Sequence, residues 1–427
     1  MAKGPDHLKE IAKPFDPSGA ADPDQALLTW LFWRGLVGIE GIGFLSSFGE
    51  AMVTAGLPVA RGSIGIETVH PEFSSQNFVW RRDGGVITQA EFHHDGGRQP
   101  DFLASPMFHM MSNELTEMRC LLEDPAEVAR FGVFETFRTD GMTDWYGALF
   151  PFEAADEYKG AGQLGMVTTW TTDQAGGFTE GDLARLRLLL PAFALVIKSR
   201  VTWSIAEQVA ATYLGPDAGG RVLAGEIRRG SVQTLDAVIF FADLRDFTAI
   251  ADRAPRDELV AMLDDYLDAI AEPVESRGGQ VLKFMGDGLL ATFDLTQGDD
   301  RDGPATICAT ALAAAHGALT AVARLNDKRA ARGQPTMALD VALHQGEVLY
   351  GNVGSARRLD FTVVGPAVNE ASRIEAECGA LDVNLLVSES FYRVATASQQ
   401  SLVSLGRHRL RGVREPQELF GLAAETP

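Results

Sequence analysis

The spacing of apolar residues divides the chain into two parts with different patterns. In the first part, apolar residues recur at helical spacing over about 27–56. The segments 61–70 and 77–92 read as two strands with a turn at 83–85. Further strands are predicted at 116–122, 134–138 and 164–171. This part therefore predicts an α+β domain of about 150 residues.

A long helix is predicted to begin after Thr179. Thr179 and Asp182 form a capping-box pattern, and a stripe of apolar residues at helical spacing follows over 183–205. Pro191 should kink or interrupt this helix, because proline lacks the backbone N–H that the helix ladder needs. The stripe fits two roles equally well: packing on the core of its own domain, or forming a parallel dimeric connector.

The second part of the chain begins near Leu235 and has a regular order of elements. An apolar strand over 237–244 precedes an amphipathic helix, and a hairpin follows with its turn at 285–288. A second helix is predicted over 304–326, then a strand over 337–346, a loop and a helix over 366–378. This β-α-β-β-α-β order predicts a ferredoxin-like domain.

Composition limits the kind of protein this can be. The chain has 427 residues, which suits two or three domains, and its 46% hydrophobic and 22% charged residues are typical of a folded protein. A net charge of −21 argues against binding a nucleic-acid backbone. It does not exclude a nucleotide substrate, because Mg²⁺ and backbone N–H groups can hold phosphates.

The cysteines and the apolar segments favour a cytoplasmic protein. Cys120, Cys308 and Cys378 are widely separated and have no metal-ligand spacing, which favours buried thiols in a reducing compartment. The N-terminus lacks the apolar core of a signal peptide. Charged residues interrupt 27–60, and 186–197 is too short to cross a membrane, so we expect no membrane span.

Two aspartates stand where a cation site could form. Asp243 ends the apolar strand, and Asp287 lies in a Gly-Asp-Gly turn of the hairpin. Mg²⁺ prefers oxygen ligands, usually one or two carboxylates with substrate phosphates. Each aspartate alone is more often a cap or turn residue, so the pair needs the support of other motifs.

Three separated motifs provide that support. FADLRDFT, KFMGDGLLATF and DFTVVGPAVNEASR resemble, in this order, the catalytic domain of class III adenylyl and guanylyl cyclases, and the resemblance covers 235–424. The segment YLGPDAGGRVLAGEIRRG resembles the transducer linker that precedes bacterial members. The resemblance implies an enzyme that converts a nucleoside triphosphate into a 3′,5′-cyclic nucleotide and pyrophosphate.

The resemblance also assigns roles around the two aspartates. Asp243 and Asp287 would bind two divalent metal ions, Mg²⁺ or Mn²⁺, one activating the ribose 3′-hydroxyl and one neutralising the triphosphate. Many members have glycine where this chain has Asp246. A phosphate cradle of main-chain N–H groups is expected at Leu244, Arg245, Asp246, Phe247 and Thr248.

Further site residues lie on the late helix and beyond it. Asn369 and Arg373 are four residues apart and so share a helix face. The resemblance implies that Asn369 orients the ribose and that Arg373 stabilises charge on the α-phosphate. Arg411, in the segment HRLRGV, would meet the triphosphate.

The choice of base rests on Lys283 and Thr362, which occupy the family's purine-reading positions. Lysine with aspartate or threonine goes with adenine in the family, whereas glutamate with cysteine goes with guanine. Lysine can donate to adenine N1, and a hydroxyl can accept from the N6 amine, so ATP is favoured. The alternatives are a guanylate cyclase and a catalytically silent nucleotide-binding regulator.

The resemblance further implies a homodimer. In this family the metal aspartates of one subunit face the purine, asparagine and arginine residues of the other across a two-fold interface. Because this chain carries both halves, two equivalent sites are expected in an isologous dimer.

The N-terminal part resembles GAF-type sensor domains, without a specific motif. The expected organisation is a flexible arm at 1–25, a GAF-like sensor at 26–176, a connecting helix with the transducer linker at 177–232, and the catalytic domain at 233–427. Surface or core roles are favoured over haem or metal binding for His70, His93, His94 and His109. The sensor's ligand stays unknown.

Overall fold

The computed structural model describes residues 14–38, 43–67, 73–84, 88–93, 100–152, 165–253, 255–296 and 303–423. The chain divides into two compact units, and the boundary lies between Gln208 and Val209. Each unit combines helices with a sheet. The mixed α+β fold predicted from the sequence is therefore confirmed.

The N-terminal unit contains a six-stranded sheet in the order β3-β2-β1-β6-β5-β4. All neighbouring strands in this sheet are antiparallel. Its elements in chain order are α1 Pro23–Val37, α2 Gly43–Thr54, β1 Arg61–Glu67, β2 Phe73–Arg81, β3 Thr88–His93, α3 Pro100–Leu103, α4 Pro106–Ser112, β4 Glu117–Leu121, α5 Pro125–Val128, α6 Gly132–Thr139, β5 Asp144–Pro151, β6 Gly165–Thr172 and the start of α7 Glu180–Leu214.

Aromatic side chains dominate the core of this unit. Phe48 of α2 stacks on Phe193 of α7 with ring centroids 4.3 Å apart, and Trp170 of β6 meets both rings edge-on. A Cβ atom on Gly62 would lie 2.3 Å from the Trp170 ring, so only glycine fits at that point of β1. The first part of α7 is buried down to Ile197, whereas no residue of 198–214 is buried. The early part of the apolar stripe thus packs on its own unit.

One strand prediction for this unit is wrong, and the capping box is confirmed. Residues 134–138 lie in the helix α6 and not in a strand, because Phe134 and Phe137 are buried on one helix face. Helix α7 continues through Pro191 without interruption. The capping box holds: Asp182 N–H donates to Thr179 Oγ1 at 3.1 Å, and Thr179 N–H donates to Asp182 Oδ2 at 2.9 Å.

The C-terminal unit contains an eight-stranded sheet in which seven strands follow the order β13-β14-β12-β10-β7-β9-β8, and β11 pairs with β10. Its elements are α8 Pro216–Leu223, β7 Val232–Arg245, α9 Phe247–Ala251, α10 Arg256–Glu275, β8 Gln280–Met285, β9 Gly288–Asp294, α11 Pro304–Ala330, β10 Ala338–Gly354, β11 Leu359–Val364, α12 Pro366–Glu375, α13 Cys378–Leu381, β12 Leu385–Ser388, α14 Glu389–Val394, β13 Leu402–His408 and β14 Gln417–Leu422. The predicted ferredoxin-like order is present in β7-α10-β8-β9-α11-β10. The segment after the 337–346 strand, predicted as a loop, instead continues β10 and forms a hairpin with β11.

The strand β7 is buried on both faces, as its unbroken apolar sequence predicts. Val238 and Phe240 pack in one cluster with residues of α10 and α11. Ala237 and Ile239 pack on the opposite face in a cluster that includes Ala371 of α12. Helix α12, which carries two predicted site residues, is thereby held against the second face of the central sheet.

Two helices in the described part of the chain are long and apolar enough to cross a membrane by length and composition. These are α7 and α11, and 39% of the relevant window of each is buried within the protein. The three cysteines are free and buried.

Candidate active site

The end of β7 brings the two predicted metal aspartates together. A Cβ atom on Gly288 would lie only 2.8 Å from Asp243 Oδ1, so the glycine lets the Asp243 carboxylate lie directly against the β8–β9 turn. That turn carries Asp287, which is close enough for its charge to raise the pKa of Asp243. A β-hairpin and a buried strand, distant in sequence, thus place two carboxylates side by side.

The electrostatics at this point are unfavourable without a cation. Burial, and then the charge of Asp287, raise the pKa of Asp243 to about 6. Glu375, at the end of α12, faces the same place, and burial followed by the charge of Asp243 raises the pKa of its carboxyl to about 7. The neighbouring Arg245 is engaged elsewhere, in two hydrogen bonds of 2.9 and 2.6 Å to Asp340.

The donor set therefore fits a hard divalent cation. Both aspartates offer oxygen ligands, and a bound cation would relieve their mutual repulsion. Within the described ranges, no group of three or more His, Cys, Asp or Glu side chains could hold a metal ion. Asp243 and Asp287 would supply two carboxylates, and substrate phosphates and water would complete the coordination, as is usual for Mg²⁺.

The loop after Asp243 has the geometry that a glycine would adopt most easily. Asp246 lies in the left-handed region, with φ 68° and ψ 12°. Aspartate tolerates this conformation better than most residues. Phe247 then begins the five-residue helix α9, and the N–H groups of Phe247 and Thr248 lie at its N-terminus, where helix N–H groups have no partner within the helix. Leu244 is buried, so its side chain points away from solvent.

Asn369 and Arg373 lie on one side of α12 and line a single cavity of about 530 Å³. The guanidinium of Arg373 lies beside Gly412, whose Cβ position would be 3.5 Å from Arg373 Nη2. Arg414 also lines this cavity, whereas Arg411 is exposed and is not among the lining residues. The cavity thus gathers polar groups that were predicted to bind ribose and phosphate, but neither Asp243 nor Asp287 is among its lining residues.

The two purine-reading candidates lie on neighbouring strands. Lys283 is exposed on β8, and Thr362 is 8% exposed on β11, opposite Gly351 of β10. Strand β11 contacts β8. An exposed lysine beside a strand that carries a nearly buried hydroxyl can meet the edge of a planar base.

Several residues near the site were missed by sequence reasoning. Asp340 and Glu375 surround Asp243, Arg414 lines the cavity, and Glu370 lines it between Asn369 and Arg373. A signal existed for Asp340, a single acidic residue within the apolar strand MALDVAL. Arg414 and Glu370 carried no signal beyond their position next to predicted residues.

Comparison with known proteins gives a family for the C-terminal unit. Residues 231–424 match the family described as adenylate and guanylate cyclase catalytic domain. An adenylate cyclase of Anabaena cylindrica is 34% identical over 243 residues, which are 56% of this chain and 43% of the relative. Adenylate cyclase 1 of Rhizobium meliloti is 32% identical over 140 residues, 33% of this chain and 20% of the relative. The chain spans less than half the length of these relatives.

Solved structures of similar fold cover the same share of the chain. The adenylyl cyclase CyaB from P. aeruginosa is 22% identical, with a TM-score of 0.41, over 46% of this chain and 97% of that one. The guanylyl cyclase Cya2 is 24% identical, with a TM-score of 0.39, over 45% of this chain and 96% of that one.

Proposed function

Residues 231–424 belong to the class III nucleotide cyclase family, and from that premise we propose that the protein is an adenylate cyclase. It converts ATP into 3′,5′-cyclic AMP and pyrophosphate. The observation that carries this proposal is the Asp243–Asp287 pair: Asp243 lies against the turn that carries Asp287, and burial together with the charge of Asp287 raises the pKa of Asp243 to about 6. Such a pair is costly in a purely structural role and suits a site that binds divalent cations with a triphosphate.

The residues of the site have separate tasks in this reaction. Asp243 and Asp287 hold two ions, Mg²⁺ or Mn²⁺, which when bound would activate the ribose 3′-hydroxyl and neutralise the triphosphate. Asn369 orients the ribose, and Arg373 donates to the α-phosphate, where negative charge grows during attack. The main-chain N–H groups over 244–248 receive phosphate oxygens. Arg414, which lines the cavity, and the exposed Arg411 would meet the triphosphate.

ATP is the proposed substrate because of the groups at the purine edge. Lys283 can donate to adenine N1 and Thr362 can accept from the N6 amine, whereas guanine would present its own donors at this edge. The curated relatives reported above are named adenylate cyclases. The alternative guanylate cyclase would need an acceptor in place of Lys283. A silent nucleotide-binding regulator is disfavoured because Asp243, Asp287 and Arg373 are all present.

The purified protein tests this proposal directly. With Mn²⁺ or Mg²⁺, we expect cyclic product from ATP and much less from GTP, measured by chromatography of the nucleotides. The double variant Lys283→Glu, Thr362→Cys should weaken ATP use and raise relative GTP use. Equal turnover of the two nucleotides by the wild type would contradict the ATP assignment, and no cyclic product from either would contradict the enzyme proposal.

We propose further that the active site is shared between two copies of the chain. The support is that neither metal aspartate lines the cavity that holds Asn369 and Arg373. An isologous homodimer would bring the aspartates of one copy to the arginine half of the other, twice.

Mixing two inactive variants tests the shared site. Asp243→Ala and Arg373→Ala homodimers should each be nearly inactive, because both of their sites carry a lesion. In a mixed dimer one site collects both lesions and the other is intact. Random pairing at equal amounts should therefore restore about a quarter of wild-type activity in an isologous dimer. No recovery at any mixing ratio would contradict a shared site.

The N-terminal unit is proposed to regulate this activity. In this proposal residues 26–176 form a GAF-like sensor, and 177–232 connect it to the catalytic domain at 233–427. Helix α7 begins in the N-terminal unit and ends at Leu214, a few residues after the boundary between the two units. Helix α8 then contacts the catalytic sheet, where Tyr350 Oη donates to Asp217 Oδ2 at 2.8 Å. A displacement of this connector would thus act directly on β10.

A further inference from the structure

A buried histidine lies beneath the helix that carries Asn369 and Arg373. His344 of β10 is 5% exposed, opposite Ile239 of β7. Its Nε2 atom is 3.7 Å from Glu370 Oε2 on α12, and its Nδ1 atom is 3.4 Å from Ser390 Oγ on α14. Burial lowers the pKa of His344, an effect that the charge of Glu370 partly opposes. The proposed reaction gives this histidine no task.

Glu370 joins α12 to two different strands. The same oxygen that faces His344 accepts a hydrogen bond of 3.0 Å from Gln417 Nε2 of β14. The Glu370 side chain is only 24% exposed, and it lines the cavity that Asn369 and Arg373 also line. A carboxylate that accepts a hydrogen bond from β14 and lies against the His344 ring of β10 restricts rotation of α12 about its axis.

The rest of the α12 interface consists of close contacts between small or apolar residues. A Cβ atom on Gly346 would lie 2.7 Å from Ala367 Cβ, so the start of α12 touches the backbone of β10. Ala367, Ala371 and Ile374 form the buried face of the helix. These are small or apolar contacts without direction, whereas the hydrogen bond from Gln417 to Glu370 is directional.

We propose that Glu370 is a positioning residue, which, together with His344 and Gln417, sets the rotation of α12 so that Asn369 and Arg373 face the cavity. This inference rests on the proposed function, since it assumes that Asn369 and Arg373 act on the nucleotide. A small rotation of the helix would move the Arg373 guanidinium, at the end of a long side chain, by more than the helix itself. Misplacement of about 1 Å can lower turnover by up to about a hundredfold.

Steady-state kinetics of the full-length protein with Mn²⁺ and ATP test this role. We expect Glu370→Leu to lower kcat about tenfold, with KM for ATP within about twofold of wild type. The side chains of Asn369 and Arg373 are still present in this variant, but they are no longer oriented for the reaction. Glu370→Gln keeps an oxygen that can accept from Gln417, and it should retain at least about half of kcat. Glu347→Leu is the matched control, since it removes an exposed carboxylate from β10, the strand on which α12 packs, and should leave kcat unchanged.

Three results would overturn the role. These are a Glu370→Leu kcat within about twofold of wild type, an equal loss in Glu370→Gln, and an equal loss in the Glu347→Leu control. If Glu370→Leu lowers the melting temperature markedly, Gln417→Leu decides instead, because it removes one anchor and leaves the carboxylate. We expect Gln417→Leu to lower kcat about threefold at normal melting temperature, and an unchanged kcat would reject the role. A wild type without cyclase activity would reject the proposed function itself, which these comparisons between variants keep separate.

Discussion

Asp144 of the N-terminal unit and Asp243 of the C-terminal unit differ in the charged groups that lie beside them. Asp144 at the start of β5 is fully buried, and Asp243 at the end of β7 is half-buried. Burial raises the pKa of both carboxyls. The Asp144 carboxylate forms an ion pair with Arg119, whose Nη2 lies 2.9 Å from Oδ2, and it accepts a hydrogen bond of 3.0 Å from Phe178 N–H. The charged group beside Asp243 is instead another carboxylate, that of Asp287.

This difference separates Asp144, whose charge has a structural role, from Asp243, for which a functional role is proposed. The pair Arg119–Asp144 closes a local network, because Arg119 Nη2 also donates to Phe178 O at 2.7 Å just before α7 begins. Asp243 has no cation against it among the groups that shift its pKa. A folded protein tolerates such an imbalance where something else supplies the missing charge. The unpaired charge of these carboxylates therefore supports the proposed metal site more strongly than their burial does.

Two further carboxylates of the N-terminal unit, those of Glu117 and Asp24, are also paired with arginines. Glu117 accepts from Tyr146 Oη at 2.7 Å and from Arg187 Nε at 2.9 Å. Arg185 binds Asp24 through both carboxylate oxygens, at 2.7–3.0 Å. These contacts all involve the first turns of α7 or the strands beneath them. The unit thus uses its charges to hold the start of the long helix.

The same substitution at the two aspartates should have opposite consequences, and Asp243→Asn should have the larger effect on activity. We expect kcat to fall by about 10³ or more, because the cation loses a charged ligand. The metal-free protein should be no less stable than wild type, because a repulsive charge has been removed from beside Asp287. Cyclic nucleotide production and thermal unfolding without metal measure the two effects.

The matching change Asp287→Asn sharpens this prediction. It should reproduce both effects, since the two carboxylates are expected to act as one set. A variant of either aspartate that keeps more than about a tenth of normal kcat would contradict the metal assignment. A large loss of stability in metal-free buffer would instead mean that the pair is structural.

The sequence could identify the catalytic unit because its motifs are local. Asp243, Asp287, Asn369 and Arg373 each lie in a continuous motif whose turn or helix spacing predicts where the side chain goes. The left-handed conformation of Asp246 accounts for the glycine of other family members at this position. What the sequence could not give is the partner of each group across the sheet. Arg245 was expected to offer its main-chain N–H to phosphates, and no signal in the sequence indicated that its side chain pairs with Asp340 of another strand.

The N-terminal unit was less predictable for a related reason. Residues 134–138 are rich in residues with high strand propensity, and they form α6 because Phe134 and Phe137 both pack into the core at helical spacing. Pro191 lies within α7, which packs on an aromatic core along its first half. In both places tertiary packing overrode a local preference. Of the histidines considered for a cofactor, His70 and His94 lie outside the described residues.

The second prediction concerns Asp144→Asn, which should lower stability and not chemistry. Loss of this buried charge leaves Arg119 without its main partner, and breaking a buried pair costs about 3 kcal/mol of unfolding free energy.

All six tryptophans lie in the N-terminal unit, at positions up to 203, so urea unfolding followed by tryptophan fluorescence reports on that unit. Glu180→Gln is the control, because Glu180 is 83% exposed although it also pairs with Arg119. It should cost no more than about 0.5 kcal/mol. Equal costs for the two variants would contradict the contrast between balanced and unbalanced carboxylates.

The smallest effect that we predict is on the pH dependence of metal binding, and it follows from the pKa of Asp243, which is raised to about 6. A proton and a cation compete for the same carboxylate. Above pH 7 Asp243 is largely ionised, so the affinity for Mn²⁺ should change little on its account. Below pH 6 the affinity should fall about tenfold for each further pH unit.

Glu375 complicates this dependence in a way that can be tested. Its pKa is raised to about 7, chiefly by burial and then by Asp243, so its protonation removes a nearby negative charge already between pH 8 and 6. The wild type should therefore begin to lose Mn²⁺ affinity near pH 7, whereas Glu375→Gln should bind more weakly at pH 8 and begin its loss nearer to pH 6. Asp243→Asn should bind weakly at every pH and lose the steep acidic limb. Electron paramagnetic resonance of free Mn²⁺ measures these affinities without any turnover. An affinity that stays constant from pH 7 to 5 would mean that the ionised Asp243 carboxylate is not a ligand, because no proton would then compete with the ion.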